Sequence, residues 1–185
     1  MKRALVVWFV ALAIGAVWMP AAGAATVSVE EYVNHVCTSI ATFGDATDQA
    51  SQTIQEKAGS LTKVPQVKKE FVAFFDSLHA AVTQLQSDLA DAGTPQLAHG
   101  SAIAKQLRSG IDSIEKVVAD ARKSAAALKT SNPKQFTNKV TALGKKLNQA
   151  YAEIGSGFDG LPKKYDTSSL KAAQQADSEC AVLNR

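Results

Sequence analysis

The sequence predicts an all-α protein, an up-down four-helix bundle with a short fifth helix at its C-terminus. Three observations support this. Apolar residues recur every three or four positions in four long stretches, as one face of a 3.6-residue helix requires. Proline, glycine or serine separates these stretches, and short connections make neighbouring helices antiparallel. No stretch alternates apolar and polar residues over the length of a strand.

The first two helices have clear start and stop signals. Helix one is predicted to begin after Ser28, because Ser28 and Glu31 have the spacing of a capping box, and to end near Gly59. Helix two is predicted to begin near Pro65 and to end at Gly93. The apolar stripe of helix one is Tyr32, Val36, Ile40, Phe43, Ala50, Ile54 and Leu61. The stripe of helix two is Val67, Phe71, Phe75, Leu78, Val82, Leu85 and Leu89.

Helix two also contains two adjacent aromatic residues, Phe74 and Phe75. Successive side chains on a helix point about 100° apart, so the two rings cannot share one environment. One ring is expected in the core. The other is expected to seal a helix boundary or to form an exposed contact.

The remaining helices follow the same pattern. The third stripe is Ile103, Leu107, Ile111, Ile114, Val118, Ala121, Ala125 and Leu128, and the fourth is Phe136, Val140, Leu143, Leu147, Tyr151 and Ile154. Helix three is predicted to begin near Gly100, with Ser101 as its candidate cap, and a turn at residues 131–133 separates it from helix four. Helix four is predicted to end at residues 155–157, followed by an ordered loop over residues 158–167 and a short helix over residues 169–183.

Residues 1–25 are interpreted as a signal peptide that is removed on export. A cationic start precedes an apolar run, residues 4–19, which Pro20 ends before a tail of small residues. This order is typical of a secretory signal, with cleavage expected after Ala24 or after Ala25. An uncleaved membrane anchor is the alternative, because the uncharged stretch is long enough to span a bilayer. The proline, the small residues and the lack of a positive cluster after them favour cleavage and secretion.

The rest of the chain, residues 26–185, is expected to form a single helical domain. Apolar residues make up 46% of the sequence and charged residues 20%, which is typical of a globular protein. Losing Lys2 and Arg3 with the signal peptide lowers the 20 basic residues to 18, against 17 acidic ones. A net charge this small does not attract nucleic acid. No transmembrane segment is expected after cleavage.

The two cysteines, Cys37 and Cys180, are predicted to form a disulfide. Cys37 lies beside the apolar stripe of helix one, and Cys180 lies on the last predicted helix. A single pair of cysteines in an exported protein usually forms one bond, which here would tie the C-terminal helix to the first helix. Two separate buried thiols and an intermolecular bridge are the alternatives. A redox-active pair would need closely spaced cysteines.

The chain carries YVNHVCTSI at residues 32–40, a Gly93-x-Pro95 turn, and Leu170, Cys180 and Leu183 near its C-terminus. Together these features resemble a group of small secreted helical proteins of actinobacteria, some of which are lipid-anchored. The resemblance covers most of the mature chain. It implies a helical architecture and export, and it brings no active site. The sequence departs from the lipid-anchored members because it has no lipobox.

Candidate residues for catalysis or metal binding are few. Glu31 and His35 are four positions apart and Asp76 and His79 three apart, so each pair could approach one metal ion from one helix face. A di-iron site in a bundle needs two carboxylate-x-x-His motifs and two more carboxylates, and we find one such motif. No nucleophile elbow or phosphate-binding loop is recognisable. We therefore predict no catalytic residue, no metal site and no cofactor.

These observations predict a secreted, non-catalytic bundle that acts through its surface. Its expected partner is an extracytoplasmic protein or a component of the cell envelope. The alternative is a carrier that holds an apolar small molecule or lipid in the bundle core. The aromatic residues that would line such a pocket are Phe71, Phe74, Phe75, Phe136 and Tyr151.

Overall fold

The structure, a computed structural model, describes residues 25–58, 61, 63–159 and 161–182. The predicted signal peptide lies outside the described residues except for Ala25. Four long helices follow one another: α1 (Val29–Ala58), α2 (Val64–Asp91), α3 (Gly100–Ala126) and α4 (Pro133–Asp159). Three short helices complete the described chain: α5 (Leu161–Lys164), α6 (Ser168–Ala176) and α7 (Ser178–Val182). The predicted all-α helix bundle is confirmed.

The helix starts agree with the predicted signals. The Glu31 backbone N–H donates a hydrogen bond to Ser28 Oγ at 3.0 Å, and α1 begins at Val29. This bond satisfies one of the amide groups that a helix leaves unpaired in its first turn. Helix α2 begins at Val64, with Pro65 in its first turn, where a missing N–H costs nothing.

The core lies where α2 packs between α1 and α3, while α4 packs chiefly on α3. The side chains at its centre are Phe75, Leu78, Val82, Leu85 and Leu89 of α2, Ile111, Ile114, Val118, Ala121 and Ala125 of α3, and Ala50 of α1. They are the predicted stripes, because a three-to-four spacing keeps one helix face turned toward the neighbouring helix. Residues Leu143 and Leu147 of α4 pack against the same cluster.

The C-terminal part differs in detail from the prediction. Helix α4 continues through residues 155–157 and ends at Asp159. Gly155 and Gly157 therefore do not end the helix, although a glycine inside a helix costs up to about 1 kcal/mol relative to alanine. Two short helices, α6 and α7, replace the single helix predicted over residues 169–183. The break lies at Asp177, whose Oδ1 accepts hydrogen bonds from the backbone N–H groups of Glu179 (2.8 Å) and Cys180 (3.2 Å). These hydrogen bonds cap the first turn of α7. Both α6 and α7 pack on α1.

A pair of two-residue strands, which the sequence did not predict, joins the start of the described chain to the turn after α2. Strand β1 (Thr26–Val27) pairs in parallel with β2 (Thr94–Pro95), with Thr26 opposite Thr94 and Val27 opposite Pro95. The Thr94 N–H donates to the carbonyl oxygen of Ala25, and the Gln96 N–H donates to that of Val27, both at 2.9 Å. Two residues are too few for a period-two pattern to be visible in a sequence.

Glycine is required at both ends of this turn. Gly93 has φ +77°, a conformation that L side chains rarely adopt, and a Cβ there would lie 2.5 Å from the Ala25 carbonyl oxygen. Gly100 is buried at the start of α3, where a Cβ would overlap the carbonyl oxygen of Pro95. The close approach of two backbone segments therefore explains why α3 begins with a glycine.

Gly100→Ala is expected to lower the free energy of unfolding by about 1–3 kcal/mol, the usual cost of forcing an extra methyl group into a packed site. Gly44→Ala is the matched control, because a Cβ at Gly44, in the middle of α1, meets no heavy atom within 4 Å apart from the neighbouring backbone of its own helix. The control should gain up to about 1 kcal/mol from higher helix propensity. Urea unfolding of both variants measures the difference, and stabilisation by both would contradict the packing at Gly100.

Among the described helices, none combines the length and the apolar character that crossing a lipid bilayer requires.

Candidate functional site

A groove of about 520 Å³ lies between α1 and α2. We call it the α1–α2 groove. It is lined by Ala46, Gln49, Ala50, Thr53, Ile54 and Lys57 of α1 and by Glu70, Ala73, Phe74, Ser77, Ala80 and Ala81 of α2. Five of these residues are alanines, so the two backbones are covered only thinly along about three helical turns. A surface of this kind lets another chain approach both helices closely.

Phe74 supplies the aromatic surface of the α1–α2 groove. Its neighbour Phe75 points into the core and is 1% exposed, whereas Phe74 is half-buried. The Phe75 ring meets the rings of Phe71 and Phe74 edge-on, with centroids 4.9 Å and 5.3 Å apart. Such pairs favour an edge-to-face arrangement because the ring edge is positive and the face negative. The core therefore supports the Phe74 ring from behind.

A charged pair borders the groove. Lys57 Nζ of α1 lies 3.0 Å from Glu70 Oε2 of α2, and the side chains of both residues line the groove. The lysine side chain is 54% exposed, so water screens the pair and its contribution to stability is small. The groove therefore presents apolar surface beside one positive and one negative group.

The acid–histidine pairs that the sequence singled out have different surroundings. His79 Nε2 lies 3.2 Å from Glu115 Oε1, and Asp76 is paired with Arg122. Both partners belong to α3. The Asp-x-x-His motif therefore contacts α3 through both of its side chains. Glu31 and His35 both lie exposed near the start of α1.

No group of three or more His, Cys, Asp or Glu side chains suited to a metal ion lies among the residues that the structure describes.

The aromatic residues suggested for a carrier pocket are not all brought together. Phe71 and Phe74 pack against the main core cluster, in which Phe75 is buried. Phe136 is also buried, at 5% exposure, but it is not one of the residues of that cluster. The side chain of Tyr151 lies outside the described ones. The rings of Phe71 and Phe74 thus both contact that of Phe75, and of the three it is Phe74 that lines the α1–α2 groove.

Cys37 and Cys180 are joined by a disulfide that attaches the C-terminal segment to α1. Their Cα atoms are 5.0 Å apart although 143 positions separate them in the chain. Both are buried, at 5% and 0% exposure. They form a small apolar cluster with Val33 and Ala173, against which Val29 and Leu170 pack.

A second contact holds this segment beside the disulfide. Asn34 Nδ2 of α1 donates a hydrogen bond to Asp177 Oδ2 at 3.0 Å. This bond lowers the pKa of the Asp177 carboxyl, and the backbone N–H groups of Cys180 and Glu179 lower it further. Asp177 is therefore ionised at neutral pH, in the state that accepts all three hydrogen bonds.

Tyr32 of α1 lies in another small apolar cluster, which it forms with Ala92 and Ala104. It is 4% exposed, and this burial raises the pKa of its hydroxyl, while the positive charge of Arg108 lowers it to a smaller extent. Arg108 itself reaches the Gly93 carbonyl oxygen, 3.4 Å from its Nη1. Tyr32 therefore links α1 to the turn after α2 in its neutral form.

Stability is expected to fall as the pH rises above about 10, where an unfolded tyrosine ionises. Because the folded pKa of Tyr32 is raised, the unfolded chain releases this proton first and is favoured by alkali. The stability that the neutral Tyr32 hydroxyl contributes is complete below about pH 10 and is lost as the pH rises through the folded pKa of Tyr32. Urea unfolding between pH 8 and 11 should show a shallower decline for Tyr32→Phe than for the wild type. Equal declines would contradict the assignment.

Comparison of the chain with protein-family models, with curated proteins and with solved structures finds no match.

Proposed function

We propose that the protein is a secreted, non-catalytic helix bundle that binds an extracytoplasmic protein or envelope component through the α1–α2 groove. The observation that carries the proposal is the groove itself, in which small side chains leave both helices open and Phe74 offers a supported aromatic ring. Aromatic residues contribute much of the binding energy in protein interfaces. A partner with an apolar helical or extended segment fits this surface.

Two observations support export. The N-terminal segment has the cationic, apolar and small-residue parts of a signal peptide. The disulfide between Cys37 and Cys180 is compatible with an oxidising compartment. Export would also place the protein with the small secreted helical proteins of actinobacteria that its sequence resembles, and we include that membership in the proposal.

The positions of the histidines support a non-catalytic role. His79 contacts Glu115, the exposed His99 lies with its ring centroid 5.5 Å from that of Tyr165, and His35 is exposed on α1. These are three separate places. A general acid or base acts together with a nucleophile or a second polar group aimed at the same substrate atom, and among the described residues no hydrogen bond joins any of the three histidine rings to a serine, threonine or cysteine side chain.

Site-specific crosslinking tests the binding surface. A photoreactive residue at Ser77, which lines the α1–α2 groove, should capture a specific partner on the surface of the producing cell. The matched control is Ser87, an exposed serine of the same helix that does not line the groove. Ala73→Trp, which fills the groove, should abolish capture at Ser77. Ala126→Trp, at an exposed alanine of α3, should not.

Equal capture at Ser77 and Ser87, or capture that survives Ala73→Trp, would contradict the proposed surface.

The carrier alternative is favoured by one observation, the volume of the groove, which lies within the 300–1,000 Å³ typical of small-ligand pockets. Phe74 and Ile54 would supply its apolar contacts. Native mass spectrometry of the secreted protein separates the two proposals. A co-purifying lipid-sized molecule that Ala73→Trp displaces supports a carrier, whereas a clean protein mass together with crosslinking at Ser77 supports an interaction protein.

A further inference from the structure

We infer that signal peptidase cuts this chain between Ala24 and Ala25, so that Ala25 is the first residue of the mature protein. The inference rests on the proposed export. The sequence alone allows cleavage at either of two peptide bonds, the one after Ala24 and the one after Ala25. Ala22 and Ala24 precede the first bond, Gly23 and Ala25 precede the second, and all four residues are small. The structure separates them by the role that it assigns to the carbonyl group of Ala25.

The Ala25 carbonyl is the acceptor that completes the strand pair. It receives the hydrogen bond of the Thr94 N–H at 2.9 Å, at the point where Thr26 of β1 lies opposite Thr94 of β2. Thr94 is half-buried, and a donor in such a place needs a partner. A cut after Ala25 would remove this oxygen from the mature protein together with the leader.

The turn that faces this carbonyl is adapted to it. Gly93 holds a positive φ of 77°, and its missing side chain makes room for the Ala25 oxygen, which would lie 2.5 Å from a Cβ. The methyl group Cγ1 of Val27 would lie 3.4 Å from the same Cβ. Two features, the Thr94 N–H that donates to it and the space at Gly93, therefore match the backbone oxygen of Ala25.

The chemistry is ordinary peptide hydrolysis by the signal peptidase of the exporting cell. One water molecule is consumed: its oxygen bonds to the carbonyl carbon of Ala24, the Ala24–Ala25 C–N bond breaks, and both protons of the water end on the Ala25 nitrogen. The leader ends in a carboxylate and the mature chain begins with the ammonium group of Ala25. The Ala25 carbonyl is untouched, so every hydrogen bond of β1 remains.

The first test is the intact mass and N-terminal sequence of protein exported with its own leader in a bacterial host. The expected N-terminal sequence is Ala-Thr-Val-Ser-Val. A mature chain that starts at Thr26 would overturn the inference and leave export standing. Recovery of the full-length chain in the membrane would overturn the export proposal, and the inference with it.

The second test does not depend on export. Two disulfide-bonded chains are compared, one that starts at Ala25 and one that starts at Thr26. The shorter chain should melt about 2–4 °C lower, as expected for losing one hydrogen bond in a domain of this size, and its Thr94 amide should exchange with solvent faster. In a Gly93→Ala background, where the methyl group displaces the Ala25 oxygen, the two chains should melt together.

Equal melting temperatures of the two chains with Gly93 present would overturn the structural role of Ala25.

Discussion

Replacing Cys37 and Cys180 together by alanine is expected to lower the free energy of unfolding by about 4–5 kcal/mol. The disulfide closes a loop of 143 positions, and the entropy that such a loop removes from the unfolded chain corresponds to this value. For a domain of this size the loss corresponds to a decrease in melting temperature of about 8–20 °C. Helicity should persist below the transition, because the main core cluster is formed by α1, α2 and α3.

The wild type under reducing conditions is the matched control for this variant. It keeps both side chains and loses only the covalent bond, so its melting temperature should lie close to that of Cys37→Ala/Cys180→Ala. Asp177 and Asn34 continue to hold the C-terminal segment in both samples. Non-reducing peptide mapping should find Cys37 linked to Cys180. An oxidised wild type that melts no higher than its reduced form would show that the bond does not stabilise the fold.

Phe75→Ala is expected to cost about 3–5 kcal/mol, the range measured for removing a buried aromatic side chain. The ring is 1% exposed, contacts Phe71 and Phe74 edge-on and lies in the cluster formed with α1 and α3. Removing it takes away both the buried apolar area and the support for its neighbours. Chemical denaturation followed by circular dichroism measures the loss.

Phe74→Ala is the control for this variant, because it removes the same side chain one position away. Phe74 is half-buried at the edge of the α1–α2 groove, so its truncation should cost about half as much or less. It should nevertheless weaken crosslinking at Ser77, because it removes the aromatic surface of the α1–α2 groove. Equal destabilisation by the two variants would contradict the orientation of this helix.

The adjacent phenylalanines also show where sequence reasoning stops. The step of about 100° between them follows from helix geometry and predicts that they differ in environment. Which of them is buried depends on how α2 is rotated against α1 and α3. That rotation is set by the whole stripe from Phe75 to Leu89, together with the side chains of α3 that fill the facing positions.

The Asp76–His79 pair is a second example. Its spacing on one helix is compatible with half of a metal site as well as with an acid–histidine pair on the helix surface, because both need the same i, i+3 geometry. The residues that distinguish the two are Arg122 and Glu115, which lie on α3, far away in the chain. Only the packing of α2 on α3 brings the four side chains together.

The sequence by itself determined the helices, most of their ends, and the stripes that form the core. These are local properties, because a helix needs hydrogen bonds between residues four apart and an apolar face at a regular spacing. The tertiary structure decided what depends on contacts between distant segments: the strand pair of Ala25–Val27 with the turn after α2, the glycines at 93 and 100, and the groove beside Phe74. Such contacts leave no periodic trace in a sequence, since each requires two backbones to meet at one point in space.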